Sequence, residues 1–393
     1  MSKRYQGGVL GVGFNPLRAP NAPTVGTATG GNASATVAFT APACVGGSAI
    51  TSYTAQSNPG GFSGAAAGSP ITVSGLSNGT SYTFGIFALN SYGPSPISAF
   101  SNSVTPSADG TLGIFALGLA PSSGSTTRDK YTYSGCVVAA GGAATVASFG
   151  GSAAGNGTVG IFALGSAPSA STTRNKYTYS GDAVSAGGAS TAASNAGSAA
   201  GNSTVGIFAL GFCSSTRDKY TYSGCVVAAG GSATAASSNS SAAGNSTVGI
   251  FALGNASCVK VTTRNKYTYS GCTVAAGGAA TVASSNGSAA GNSTVGIFAL
   301  GINSCFSFIT TRNKYTYSGD VVSAGGAATA ASSDGSATGN STVGIFALGA
   351  ATAASTTRNK YTYSGCTVAA GGAATTASRL GAAAGNGTAG VNY

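Results

Sequence analysis

TVGIFALGSAPSASTTRNKYTYSG, residues 158–181, decides how this chain is read, because both of its ends recur. The hexapeptide GIFALG begins at Gly113, Gly160, Gly206, Gly249, Gly296 and Gly344, at spacings of 47, 46, 43, 47 and 48 residues. Its companion, Arg-Asp/Asn-Lys-Tyr-Thr-Tyr-Ser-Gly, begins at Arg128, Arg174, Arg217, Arg264, Arg312 and Arg358. A fixed period of this length marks one supersecondary unit used repeatedly. A β-solenoid coil needs about 20–30 residues and a four-stranded propeller blade about 40–50, so the period selects a propeller.

Four strand-like pieces make up each unit. In the second unit they are Gly151 to Asn156, Thr158 to Leu164, Thr172 to Tyr179 and Ala183 to Ser194. The first is built from Gly, Ser and Ala, which suits an innermost strand where large side chains would clash. TVGIFAL is almost continuously apolar, as expected of a strand covered on both faces. The third piece alternates, placing Asn175, Tyr177 and Tyr179 on one face and Arg174, Lys176 and Thr178 on the other. Tyr131 and Tyr133, repeated in every unit, read as packing between units.

The order of these pieces, with Leu-Gly closing the second and tyrosines in the third, resembles a degenerate kelch-type blade. The wording GIFALG, TTRNKYTYSG and AAGNSTVGIFALG is similar to propeller repeats in virion structural proteins of tailed phages, those of aquatic and cyanobacterial hosts in particular. The resemblance covers residues 110–393. It implies a non-enzymatic virion protein, a tail-fibre or surface-decoration subunit present in multiple copies and assembled in the host cytoplasm. The first unit begins directly at Thr111 to Leu117, and its missing first strand reappears as Gly381 to Asn386, GAAAGN, so the C-terminal strand is expected to close a six-bladed ring and leave no edge open.

Residues 19–108 alternate in short runs between Gly, Pro and Asn turns, the pattern of a β-sandwich. Ser34 to Phe39, Ala49 to Tyr53, the PGG at Pro59 to Gly61 and GLSNGTSYTFGIFALN from Gly75 resemble a fibronectin type III domain. Tyr82, Phe84, Ile86 and Ala88 form its inward face, Leu76 with Tyr82 stands at the family's tyrosine corner, and Phe39 stands where many relatives carry tryptophan. The resemblance implies a spacer or adhesive module. Residues 1–18, with Lys3, Arg4, Tyr5, Phe14 and Arg18, read either as a flexible tail or, as the resemblance to phage proteins favours, as an arm that docks on another virion protein. The expected domains are thus 1–18, 19–108 and 109–393.

Composition narrows the function. The 393 residues include no histidine, no tryptophan and no glutamate, and the acids are Asp109, Asp129, Asp182, Asp218, Asp320 and Asp334. Without imidazole the usual hydrolytic triads and histidine metal sites are excluded, so no enzyme, cofactor or metal is expected. The formal net charge is +11, yet twelve of the 17 basic residues belong to the Arg-x-Lys element and residues 19–108 carry no charge, so nucleic acid is not an expected partner. No apolar run is long enough to cross a bilayer, and the N-terminus lacks a signal-peptide apolar stretch, which reads as a soluble, unsecreted product.

Cys136, Cys225, Cys272 and Cys366 hold a repeat position that Asp182 and Asp320 hold elsewhere, which reads as free thiols rather than a disulfide framework. Asp129 and Asp218 alternate with Asn in the Arg-x-Lys element, and a cross-strand ion pair there is worth under about 1 kcal/mol if exposed. Variation concentrates between the second and third strands of each unit, at Leu119 to Ser125, Ser166 to Ser171, Phe212 to Ser215, Asn255 to Val261, Ile302 to Ile309 and Ala350 to Ser355. A constant scaffold with variable loops marks a binding face. Its apolar set is Val259, Lys260, Val261, Phe306, Phe308 and Ile309, with Lys260, Phe306 and Phe308 at the centre, expected to contact a host-surface glycan or a neighbouring virion subunit. A glycan-binding adhesin outside a virion is the alternative, and a polysaccharide-cleaving enzyme the third.

Overall fold

The computed structural model describes residues 18–386 except 32, 79, 107–110, 121–122, 134, 168, 258 and 351–352. The expected docking arm, save Arg18, and Cys258 lie outside the described residues. The chain is all-β: the described residues contain no helix, and every named strand pairs antiparallel. Its contacts divide it into two units, Met1–Ala108 and Asp109–Tyr393.

The first unit holds β1 (Thr24–Gly31), β2 (Ser34–Thr40), β3 (Ser52–Asn58), β4 (Ser63–Ala66), β5 (Ile71–Ser74), β6 (Thr83–Asn90) and β7 (Gly93–Pro94). One sheet runs β1-β2-β5 and the other β4-β3-β6-β7. Alternation buries Ala35, Val37 and Phe39 of β2 against Tyr53, Phe84 and Ile86 of the other sheet, forming one core. The third strand starts at Ser52 rather than Ala49, because Ser52 is the first residue with a partner on β6, Leu89. Tyr82 Oη accepts from the Ser77 amide at 3.1 Å, and the Phe39 ring sits 4.6 Å from that of Tyr53. Beyond β7, Ser95, Ser98 and Ser101 each donate a backbone N–H to Ala88, Ile86 and Phe84. Their hydroxyls accept the amides of the same three residues at 2.9, 3.0 and 3.1 Å. Three residues therefore face two of β6 at each step, a repeated bulge in which serine supplies the missing acceptor.

The second unit holds six four-stranded antiparallel sheets. Sheet 1 pairs Ala382–Gly385, Leu112–Ala116, Arg128–Thr132 and Val137–Ala140. Sheets 2 to 6 are sequential: Ser152–Gly155, Val159–Ala163, Arg174–Thr178, Ala183–Ala186; Ser198–Gly201, Val205–Ala209, Arg217–Thr221, Val226–Ala229; Ser241–Gly244, Val248–Ala252, Arg264–Thr268, Thr273–Gly277; Ser288–Gly291, Val295–Ala299, Arg312–Thr316, Val321–Ala324; Ser336–Gly339, Val343–Ala347, Arg358–Thr362, Thr367–Ala370. The C-terminal strand completes sheet 1 in the register Ala382↔Ala116 to Gly385↔Gly113. The first strands touch in the order of the sheets, and that of sheet 6 touches Ala382–Gly385 of sheet 1.

Close approach of the sheets explains the small residues. A Cβ on Gly249 would meet Ala200 Cβ of sheet 3 at 3.2 Å and Tyr269 Oη at 2.9 Å. Tyrosine hydroxyls reach the preceding sheet, Tyr179 to the Gly385 carbonyl at 2.8 Å and Tyr317 to that of Gly244 at 3.1 Å. The fourth strand of sheet 2 ends at Ala186, not Ser194. From Gly187 the backbone leaves for the next sheet, where the Thr191 amide bonds Asp218 at 3.0 Å. Just before each first strand one residue adopts a left-handed conformation: Gly150, Ala196, Asn239, Asn286, Asp334 and Leu380. Their amides are linked head to tail: Ala196 donates to Gly150, Asn239 to Ala196, Asn286 to Asn239, Asp334 to Asn286, Leu380 to Asp334, and Gly150 to Leu380, at 2.7–3.1 Å.

Candidate functional site

The repeated charges are structural. Each arginine of the Arg-x-Lys element is fully buried and lies over a phenylalanine of the following sheet, from Arg128 over Phe162 at 4.6 Å to Arg358 over Phe115 at 4.5 Å. Its Nη2 donates to the Asp or Asn of that sheet: Arg128 to Asn175, Arg174 to Asp218, Arg217 to Asn265, Arg264 to Asn313, Arg312 to Asn359 and Arg358 to Asp129. Asp129 and Asp218 thus form ion pairs at 2.7 Å that are buried, so the small energy given above for an exposed pair does not apply. The reason is reach: the guanidinium crosses between sheets, and both charges leave water together. Each carboxylate also accepts from a threonine, Thr375 and Thr191. Burial lowers the pKa of Arg128, Arg217, Arg264 and Arg312 to about 10, which leaves them charged at neutral pH.

The Cys/Asp position ends the turn between the third and fourth strands. Asp182 accepts from Tyr177 Oη and from Lys130 Nζ of sheet 1, the latter at 2.6 Å; Asp320 accepts from Tyr315 Oη and from Lys266 Nζ of sheet 4, at 2.6 and 2.9 Å. Asp334 accepts from Asn286 Nδ2 and Ser333 Oγ. Five of the six acids are therefore held by neighbouring side chains; Asp109 lies outside the described residues. The described cysteines, Cys44, Cys136, Cys213, Cys225, Cys272, Cys305 and Cys366, are all unbridged.

The loops between second and third strands share one end of the unit with the segments that lead into each first strand. Ser125 bridges Ser148, Ser171 bridges Ser194, Ser214 bridges Ser237, Val261 bridges Ser284, Ile309 bridges Ser332 and Ser355 bridges Ser378. Two of the loops are ordered as strands. Asn255–Ala256 and Val259–Lys260 form a hairpin that extends Ser237–Ser238, and Ile302–Asn303 pairs with Ser284–Ser285.

The six expected binding residues divide into two groups. Val261 and Ile309 are tied down, their amides donating to the Gly254 and Gly301 carbonyls at 3.0 Å, and Ile309 packs on the core of the unit. Val259, Phe306 and Phe308 are exposed, at 64%, 81% and 38%. Lys260 Nζ sits 3.8 Å from the Phe306 ring centre, joining the two loops. Phe306 holds a left-handed conformation at φ +58°, a backbone state that costs a non-glycine residue about 1–2 kcal/mol. Phe212, which residue counting placed in a loop without singling it out, is equally notable: 67% exposed, at φ +50°, followed by exposed Cys213 at +56°. Its signal was loop length, since the four residues Phe212 to Ser215 must reverse the chain where the other loops use six or more. Aromatic rings presented in strained, exposed conformations at one end of a rigid scaffold are suited to stacking on a ligand.

No family model matches the chain, and no curated protein matches it. Among solved structures, it is similar over a short stretch to titin kinase and its flanking domains, at 28% identity over 23% of this chain and 17% of that chain, TM-score 0.20. It is also similar to the twitchin kinase region from C. elegans, at 26% identity over 22% of this chain and 17% of that chain, TM-score 0.21. The matched part spans under a fifth of each of those two chains, and at these TM-scores the likeness carries no argument.

Proposed function

We propose that this chain is a non-enzymatic virion structural protein of a tailed phage, a tail-fibre or surface-decoration subunit that takes part in host attachment. In this reading the first unit is a fibronectin type III-like sandwich that anchors the chain to other virion proteins. The second is a six-bladed kelch-like β-propeller closed by the C-terminal strand. Support for closure comes from the head-to-tail amides that return from Leu380 to Gly150 and the arginine bridges that return from Arg358 to Asp129. Support for a role without catalysis comes from the acids, five of which serve as acceptors within the scaffold.

The observation that carries the attachment role is the Lys260–Phe306 pair, an exposed ring on a half-buried lysine, on two loops that differ from their four counterparts while the sheets beneath stay alike. An aromatic face beside a cation offers a host-surface glycan both a stacking plane and a hydrogen-bond donor. The test is a phage carrying Phe306→Ser with Phe308→Ser. Exposed loop positions away from the core change stability by about 0.5 kcal/mol or less, so the chain should enter particles normally while adsorption slows about tenfold or more. Normal adsorption with normal incorporation overturns the attachment role, and absence of the chain from purified particles by mass spectrometry overturns the virion assignment.

A further inference from the structure

The turn position shared by cysteine and aspartate is a socket with two donors. Its backbone is the same in all six sheets, with φ between +50° and +53° at Cys136, Asp182, Cys225, Cys272, Asp320 and Cys366. Where aspartate occupies it, a buried tyrosine hydroxyl of the same sheet and a lysine of the preceding sheet both donate to the carboxylate. Where cysteine occupies it, the hydroxyls of Tyr131, Tyr220, Tyr267 and Tyr361 are buried and reach no oxygen acceptor; each interacts with the thiol instead, which adds to the rise that burial gives the phenol pKa. At Cys272 the lysine is present too, Lys219 Nζ lying 3.7 Å from Sγ, and Lys360, Lys176 and Lys314 hold the same Arg-x-Lys position in the sheets that precede Cys136, Cys225 and Cys366. A thiol is a weak acceptor for a buried hydroxyl, so these sockets suit an anion better than the thiol that they hold.

One modification of cysteine supplies that anion. A sulfinate, CH2–SO2⁻, matches an aspartate side chain, CH2–CO2⁻, in charge, in its single-carbon tether and in its two terminal oxygens. We propose that Cys136, Cys225, Cys272 and Cys366 are oxidation sites at which hydrogen peroxide generates sulfinate, which then accepts from the buried tyrosine and the neighbouring lysine as Asp182 and Asp320 do. Each site consumes two peroxides. The first transfers oxygen to sulfur as its O–O bond breaks, giving sulfenic acid and water; the second repeats the transfer, giving sulfinic acid and a second water, and the sulfinic acid releases its proton to solvent. All four cysteines are half-buried, so a small peroxide reaches them, while the socket shields the product. The product would add an inter-sheet ion pair and satisfy one buried hydroxyl per site. This proposal is independent of the attachment role.

The test treats the full purified chain with hydrogen peroxide and follows peptide masses and the melting temperature. The four socket peptides should each gain about 32 Da, and Tm should rise by about 2 °C or more. Cys272→Asp should raise Tm without oxidant. Lys219→Met should keep the mass gain at Cys272 but reduce the rise in Tm. Failure of all four sites to gain two oxygens under conditions that oxidise the exposed Cys213 and Cys305 overturns the proposal. So does oxidation of the four with Tm unchanged or lowered, or a fall in Tm for Cys272→Asp.

Discussion

Arg358 Nη2 donates to Asp129 Oδ2 at 2.7 Å, joining residues 229 apart in the chain with both side chains fully buried. The pair ties sheet 6 to sheet 1 through the same contact that links every other sheet to its successor. In four of the six copies asparagine takes the place of aspartate, so the geometry does not require a charge on the acceptor. It requires an oxygen for the guanidinium and for the threonine that binds the same group.

The protein therefore contains its own control for a substitution at this position. Asp129→Ala should destabilise the second unit by about 3–5 kcal/mol, because Arg358 is left buried and unpaired. Asp129→Asn should cost far less. Urea denaturation of the two variants separates them, and equal losses would show that the charge itself, not the acceptor, is required.

Acidification should weaken the lysine pairs between sheets, Lys130–Asp182 and Lys266–Asp320. Burial alone would raise the Asp182 carboxyl, but the bonds from Lys130 and Tyr177 outweigh it and hold its pKa below 3.8; at Asp320, burial is likewise outweighed by Tyr315 and Lys266. A carboxyl depressed in the folded state contributes stability that is present above its unfolded value, about 3.9, and is lost as pH falls through the folded value. Melting temperature should fall below about pH 4, and the drop should be smaller in the double variant Asp182→Asn, Asp320→Asn. Parallel curves for the two proteins would contradict the assignment.

Gly249→Val tests the approach of sheets 3 and 4. The first carbon already meets Ala200 and Tyr269 closely, and a branched side chain forces them apart. Overpacking of this kind costs about 1–3 kcal/mol. Calorimetry of the variant should show a lower Tm, whereas Val248→Ile on the same strand should change it less.

Removal of residues 381–393 strips sheet 1 of its first strand and opens the edge of Leu112–Ala116. An exposed apolar edge pairs with other chains. The truncated protein should aggregate or lose its sharp melting transition in size-exclusion chromatography and calorimetry. A monomer melting like the full chain would show that the terminal strand is dispensable.

The first unit offers a further check. Ser98 Oγ is the acceptor for the buried Ile86 amide at 3.0 Å, and Ser98→Ala strands that amide at a cost of about 1–3 kcal/mol. Faster hydrogen exchange at Ile86 should accompany the loss of stability.

Sequence alone determined the local architecture. The period of GIFALG placed six units, the Gly-Ser-Ala runs located their first strands, and the alternation at Tyr82, Phe84, Ile86 and Ala88 located an inward face, because strand periodicity is written in consecutive residues. What it could not express was which residues meet between units. Arg174 and Lys176 share a face by alternation, yet one is buried over Phe208 and the other is not, since burial depends on a sheet whose acceptor, Asp218, lies 44 positions on. Separations of this order and larger, 229 residues for Arg358 and Asp129, hid the acceptor role of Asp129 and Asp218 and the shared socket of cysteine and aspartate. Among the loops, sequence grouped Val261 and Ile309 with Phe306, whereas backbone pairing with Ser284 and Ser332 holds the first two down and leaves Phe306 exposed beside Lys260. Periodicity fixes a residue's face; only the packing of one sheet on the next decides whether that face meets protein or water.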